Sequence, residues 1–325
     1  MKSIWARREF LGGIAAITAG ASLPVKMLNA MPFSPTSNDV LYPPMDLSYF
    51  DSPIPPAPSE IHFGYAAITW GGNDRQAIAD VSSLGFPGIQ IRSNAVDEFK
   101  SPQELADLLA QHKLTFVALS SGGVNIDAPE SEQIAKHVAH AKFLKAAGGK
   151  YLQVTDDRPK NRAIAAEDYK RLGQLLTAVG KQTAELGIPL GYHNHMGSLG
   201  QAPEEVDQIL AATDPRYAKL ELDIAHYFQG GGDPVKAIHK YSDRLLFLHI
   251  KDVEKISGDP KRNYQFVELG RGQVDLSGAF KALHEVKFSG WAIVELDDVP
   301  DKSRTPKECA EISKKYLHDK LGISI

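Results

Sequence analysis

The chain has 325 residues, 43% of them hydrophobic and 23% charged, and a formal net charge of -4. That balance excludes a disordered or fibrous protein, and a mildly acidic chain lacks the attraction to phosphate backbones that nucleic-acid binding requires. The single cysteine, Cys309, excludes an intrachain disulfide framework and a thiolate metal cluster.

Residues 1–30 read as an address. Arg7-Arg8-Glu9-Phe10-Leu11 precedes a weakly apolar run from Gly12 to Leu23, shorter than the ~20 apolar residues that span a bilayer. Twin arginines, Phe-Leu and a modest apolar core resemble a twin-arginine export signal. The expectation is an exported, periplasmic protein, cleaved near Leu28-Asn29-Ala30 and not inserted in the membrane afterwards, with the basic start of an uncleaved anchor as the alternative. Residues 31–60 hold Pro43-Pro44, Pro53, Pro55-Pro56 and Pro58. Such a stretch forms neither a regular helix nor a central strand, and it reads as an extended tether or a strap lying on the folded part.

From residue 61 to 325 short apolar runs alternate with longer amphipathic stretches, the pattern of βα units. The runs predict strands at Ile61–Trp70, Gly88–Arg92, Thr115–Ser120, Tyr151–Thr155, Pro189–Asn194, Lys219–Ile224, Leu245–Ile250 and Trp291–Leu296. The clearest helix is Ala166–Leu186, with Tyr169, Leu172, Leu175, Leu176, Val179 and Thr183 on one face. Gly85, Gly148 and Gly187 close helices just before the next strand, where a left-handed residue is needed. Ser101-Pro102 opens another helix as N-cap and first-turn proline. Eight such units predict an α/β protein, a single-domain (β/α)₈ TIM barrel. A doubly wound open sheet would carry a Gly-rich phosphate fingerprint after the first strand, and Ile68-Thr69-Trp70-Gly71-Gly72 lacks that spacing.

In such a barrel, chemistry collects at the C-terminal ends of the strands. The first four predicted strands end at Trp70, Arg92, Ser120 and Asp156. The last four end at His193-Asn194-His195, Asp223 with His226, His249 with Lys251, and Glu295 with Asp297. His193, Asp223, His249 and Glu295 on successive strand ends would converge on the barrel axis. Imidazole with carboxylate suits one divalent metal, and without thiolate nothing selects among Mn, Zn, Mg, Co and Fe. Taken singly, each residue also fits a structural role, Asp223 for instance as a helix N-cap. Four buried polar groups in four consecutive strand ends would each need a separate partner.

Five motifs then carry a resemblance: Gly191-Tyr192-His193-Asn194-His195-Met196-Gly197-Ser198, Leu220-Glu221-Leu222-Asp223-Ile224-Ala225-His226, Leu248-His249-Ile250-Lys251-Asp252, Leu269-Gly270-Arg271-Gly272 and Ile293-Val294-Glu295. Together they resemble the xylose isomerase-like TIM-barrel superfamily of sugar-phosphate isomerases and epimerases, inosose dehydratases and endonuclease IV. The resemblance implies Asp223, His249 and Glu295 as metal ligands. Many epimerases of the superfamily have a glutamate, both ligand and base, in the fifth strand; here His193 takes that place. The run around it is closer to the Tyr-His-His-His-Met-Gly-Thr run of inosose dehydratases.

The resulting expectation is a metal-dependent isomerase or epimerase that enolises a keto-sugar or keto-polyol, with a dehydratase or hydratase as the alternative. The metal would stabilise the enediolate formed on deprotonation. Glu295, His193, His226 and Lys251 are the catalytic candidates; Trp70, Arg92, His195 and Arg271 are candidates for holding substrate. Lys251 and Arg271 equally suit salt bridges at the barrel rim, and Trp70 equally suits a cap on the core. No organic cofactor is implied. Endonuclease chemistry is disfavoured because the second and third strands end in Arg92-Ser93 and Ser120-Ser121 and supply no further histidines. A non-catalytic sugar-binding barrel stays open as a reading of another class. The partner expected is a small carbohydrate or polyol, without nucleic acid, and an oligomer of identical chains is left open. No convincing basic cluster marks a phosphate site, which favours unphosphorylated substrates.

Overall fold

The structure, a computed structural model, describes residues 60–257 and 263–325. The expected export segment and all but the last residue of the Pro-rich tether lie outside the described residues. Among the described residues ten strands follow in chain order: β1 (Ile61–Ala66), β2 (Gly88–Arg92), β3 (Thr115–Val124), β4 (Tyr151–Asp156), β5 (Leu190–His193), β6 (Ala218–Asp223), β7 (Leu245–Ile250), β8 (Asp252–Lys255), β9 (Tyr264–Val267) and β10 (Gly290–Val294). Eight of them close a barrel in the order β1-β2-β3-β4-β5-β6-β7-β10. Every neighbouring pair is parallel, and β10 returns to β1 with Ile61 opposite Gly290 and Tyr65 opposite Val294. The expected (β/α)₈ barrel is the observed fold.

The helices form where the sequence marks them. Ser101 accepts a hydrogen bond from the Glu104 amide at 3.2 Å, with Pro102 in the first turn. In the helix Ala166–Glu185, Leu172, Leu175, Leu176, Val179 and Thr183 of the expected face are buried and Tyr169 is half-buried. Gly85, Gly148 and Gly187 have φ of 84°, 77° and 75°, the left-handed conformation that a side chain would strain.

The lower barrel is apolar. Val117, Ala118, Phe247 and Ile293 are buried there, and Tyr151 stacks on Phe247 at 5.3 Å between ring centroids. Above them the interior turns polar, with Gln90, Gln153 and Glu221 all at most 3% exposed.

Two departures from the predicted elements matter for the site. The run Ile61–Trp70 is a strand only to Ala66, and Ala67–Trp70 is a 3₁₀ turn. An antiparallel hairpin of β8 and β9, unexpected from the eight-unit pattern, follows β7 at once, with Asp252 opposite Val267. Among the described residues, no helix is long and apolar enough to cross a membrane.

Candidate metal centre

Four adjacent barrel strands deliver the site. His193 ends β5, Asp223 ends β6, His249 is the penultimate-but-one position of the β7–Lys251 run, and Glu295 follows β10. The parallel registers set His193 beside Glu221 and Asp223 beside His249. Each ligand-type residue is at most 7% exposed. One donor atom from each of His193, Asp223, His249 and Glu295 lies within 4.8 Å of the others, a grouping able to hold a metal ion.

Asp223 has two duties. Oδ1 accepts from the Ala225 and His226 amides at 2.9 and 2.8 Å, capping the short helix Ile224–Gln229. Oδ2 has no hydrogen-bond partner and lies 3.6 Å from His249 Nδ1. His249 Nδ1, 3.0 Å from Glu295 Oε2, likewise lacks a hydrogen bond. A buried polar atom without a partner costs about 1–3 kcal/mol. A divalent cation would satisfy both atoms, so the donor set fits one. Two imidazoles and two carboxylates suit Zn, Mn, Fe or Co and do not choose between them.

Asn194, which carried no assigned role in the sequence, holds the ends of β5 and β6 together. Its Oδ1 accepts from the Asp223 amide at 3.0 Å, and its Nδ2 donates to the Asp223 carbonyl at 3.1 Å.

Lys251 is fully buried against this group. Its Nζ donates to Glu295 Oε2 at 2.9 Å and to Asp297 Oδ1, lies 3.7 Å from Asp223 Oδ2, and sits 4.1 Å from the centre of the Phe266 ring of β9. Burial disfavours its charge, but Asp297, Glu295 and Asp223 outweigh burial and hold the ammonium above its ordinary range. Glu295 shows the converse. Burial opposes its charge, yet His249 and Lys251 keep it well below the usual carboxylate range. Glu295 is therefore an anion.

Two imidazoles at this site, His195 and His226, are held toward the neutral form. His195 Nδ1 lies 2.6 Å from the Met196 carbonyl, so Nδ1 carries the proton and Nε2 a lone pair. Burial, followed by His193 and Lys251, lowers its pKa. Its ring lies 3.9 Å from that of His226. His226 Nδ1 accepts from the Met196 amide at 3.1 Å, and burial drives its pKa well down. A cleft of about 240 Å³ opens over this group, lined among others by Arg92, Ser120, Gln153, His193, His195 and Glu295.

The structure thus gathers His193, Asp223, His249 and Glu295 with His195, His226, Lys251 and Arg92. Two residues expected to hold substrate, Trp70 and Arg271, do not line this cleft. Trp70 turns away from the cleft because β1 ends four residues before it; Nε1 donates to Asp80 Oδ2 at 2.9 Å and the ring packs edge-on against Tyr65. Ile68 lines the cleft instead. Arg271 faces Glu268 at 3.7 Å and lines a separate groove with Glu254, Asp301 and Arg304. Its loop is organised by Asp252, whose carboxylate accepts four backbone amides.

Comparison with known proteins agrees with this geometry. The profile of the xylose isomerase-like TIM barrel family matches residues 78–316. Inosose dehydratase from Lacticaseibacillus casei is 27% identical over 299 residues, covering 81% of this chain and 98% of that protein. Inosose dehydratase from Clostridium beijerinckii is 25% identical, covering 81% and 98%. Among solved structures, the IOLI protein with a bound zinc superposes with a TM-score of 0.68 at 19% identity, over 81% of this chain and all of that one. An L-ribulose 3-epimerase superposes at 0.64 with 16% identity, over 79% and 93%. The chain belongs to the xylose isomerase-like TIM barrel family.

Proposed function

We propose that the chain is a metal-dependent enzyme that removes a proton next to the carbonyl of a keto-sugar or keto-polyol, and that water is then eliminated. The observation carrying this reading is the pairing, over one cleft, of the four-residue metal group with the neutral imidazole of His195. His193, Asp223, His249 and Glu295 would hold the ion. Bound there, it would supply Lewis-acid stabilisation of the negative charge that develops on the substrate oxygens.

The remaining work falls to side chains. His195 Nε2 takes the proton from carbon, since a neutral imidazole with a free lone pair is a competent base near neutral pH, and the imidazolium so formed gives that proton to the departing hydroxide, which leaves as water. Glu295 is held too far toward the anion to act as a strong base and serves as ligand and electrostatic anchor. Lys251, tied to Glu295 and Asp297, fixes that carboxylate and adds positive charge beside the developing oxyanion. Arg92 borders the cleft and would hold a substrate oxygen.

Elimination is favoured over epimerisation by one feature. Epimerisation uses a base on each face of the enediolate, usually two carboxylates. The β5 side of this cleft presents His193 and His195 where a carboxylate base would stand. The similarity to inosose dehydratases supports the same choice, and the similarity to an epimerase fold supports the isomerase as second reading.

Proton NMR of metal-supplemented protein with keto-inositols and keto-hexoses in D₂O tests this. Loss of hydroxide from substrate is expected. Deuterium incorporation with inversion and without loss of water would replace elimination by epimerisation. Glu295→Gln should abolish turnover with the fold retained, and an active variant would remove the mechanism.

The periplasmic location rests on residues 1–30, and the unphosphorylated substrate on the lack of a convincing basic cluster together with that segment; both are proposed here. Export of a reporter fused to that segment should stop when Arg7 and Arg8 become Lys.

A further inference from the structure

Glu221 lies one layer below the metal group, in the middle of β6, on the same strand face as Asp223 two residues on. It is fully buried. A buried carboxylate costs several kcal/mol unless its charge is balanced. No lysine, arginine or backbone amide answers it among the described residues. Its neighbours are two imidazoles: Oε1 lies 2.6 Å from His249 Nε2 and 3.5 Å from His193 Nδ1. Those two rings stand 4.8 Å apart, tilted at 63°.

A neutral imidazole carries one proton on one nitrogen. On His249, Nε2 faces Gln90 Oε1 at 2.9 Å as well as Glu221, while Nδ1 faces Glu295 and Asp223. With a cation in the cluster His249 is neutral; the Gln90 acceptor and the Glu221 charge both lie at Nε2, so its one proton belongs there and Nδ1 offers its lone pair to the centre of the cluster. On His193 the nitrogen nearest Glu221 is Nδ1, buried and without a hydrogen bond, so the carboxylate charge favours the proton there and leaves Nε2 to bind.

We infer that Glu221 is a positioning residue that fixes the tautomers of His193 and His249 together, one carboxylate setting which nitrogen of each ring is offered to a cation. The inference rests on the reading that His193, Asp223, His249 and Glu295 bind a divalent metal. It also assigns a reason for keeping a charge in a barrel interior where an apolar residue of the same size would be no less stable. Carboxylates behind metal-bound histidines raise ligand basicity and lock ring orientation, and losing one typically lowers metal affinity by about 10–100-fold.

The test is a Co²⁺ titration of full-length metal-stripped protein, followed by the visible absorption of the ion, for the parent, Glu221→Gln and Glu221→Asp. Folding of each is checked by circular dichroism. Glu221→Gln keeps the shape but removes the charge; its affinity should fall about 10–100-fold and its absorption band should shift. Glu221→Asp keeps the charge at shorter reach and should recover part of the affinity and of the band position. If Glu221→Gln does not fold, a several-fold loss in Glu221→Asp carries the inference. Unchanged Co²⁺ affinity and spectrum in the folded variants would overturn it while leaving the metal reading intact. A parent that binds no Co²⁺ would remove the metal reading and this inference with it.

Discussion

Lys251 places its ammonium 2.9 Å from Glu295 Oε2, the same oxygen that lies 3.0 Å from His249 Nδ1. One carboxylate oxygen is thus shared between a permanent cation and the metal group. Lys251 supplies positive charge to a cluster of acids that would otherwise repel one another, and a bound metal supplies more. Lys251→Met should therefore destabilise the metal-stripped protein by about 3–5 kcal/mol, the usual cost of breaking a buried pair. Zn²⁺ or Mn²⁺ should recover part of that loss. Thermal melts with and without metal check this: the metal-induced rise in Tm should be larger in the variant than in the parent. Equal rises would contradict it.

Asp223 separates its structural duty from its chemical one by oxygen atom. Asp223→Asn keeps an oxygen acceptor at the cap of the helix Ile224–Gln229 and should fold within about 1 kcal/mol of the parent. Its metal affinity should nevertheless fall at least a hundredfold, because Oδ2 no longer carries charge. Asp223→Ala should lose the cap as well, costing about 1 kcal/mol more. Denaturant melts and metal titration on both variants make the comparison.

His137 gives the fold a defined acid sensitivity. It is fully buried, with Nδ1 2.6 Å from Ser121 Oγ. Burial, aided by Lys136, pushes its pKa down to about 3 from an ordinary 6.5. A folded value below the unfolded one means that the unfolded chain takes up the proton first as pH falls. Stability from this site is intact above about pH 6.5 and is lost progressively from there toward pH 3. At about 1.4 kcal/mol per pH unit, lowering pH from 7 to 5 should cost about 2 kcal/mol here. His195 and His226 act in the same direction, so the contrast with His137→Leu isolates the site. That variant should lose about 2 kcal/mol less between the two pH values, and equal losses by urea denaturation would refute the assignment.

Asp252 anchors the loop that carries Arg271. Oδ1 accepts from Val253 and Val274 at 2.9 and 3.0 Å, and Oδ2 accepts from Gly270 and Gly272 at 3.0 and 2.9 Å. Asp252→Ala leaves four amides to find new partners and should cost on the order of 3 kcal/mol. Gly272→Ala should disturb the same loop, since an added Cβ would lie 2.2 Å from Asp252 Oδ1. Hydrogen exchange across residues 270–274 should quicken in both variants; unchanged protection would contradict the account.

The barrel was legible in the sequence because strand and helix periodicities alternate cleanly and each strand end is marked by a polar residue. His193, Asp223, His249 and Glu295 were legible for the same reason, as the residues that stop four consecutive apolar runs. What escaped has physical causes. Trp70 closes an apolar run that looks like one strand, and nothing in its composition shows the 3₁₀ turn at Ala67 that swings the indole toward Asp80. The hairpin of β8 and β9 begins one residue after β7, so its first strand reads as a tail of the previous one. Glu221 sits inside an apolar run, where alternation says only that it shares a face with Asp223. Its depth beneath two imidazoles is a property of barrel closure. Asn194 was visible only as a neighbour of His193, because its partner is a backbone group on another strand.

The central claim is that four strand ends form one divalent-metal site. Equilibrium dialysis of full-length metal-stripped protein against Mn²⁺ or Zn²⁺, with metal counted per chain by mass spectrometry, tests it most directly. The account predicts one tightly held ion per chain in the parent and near-complete loss in His249→Gln. A parent that holds no ion, or a His249→Gln variant that holds it as tightly, would contradict it.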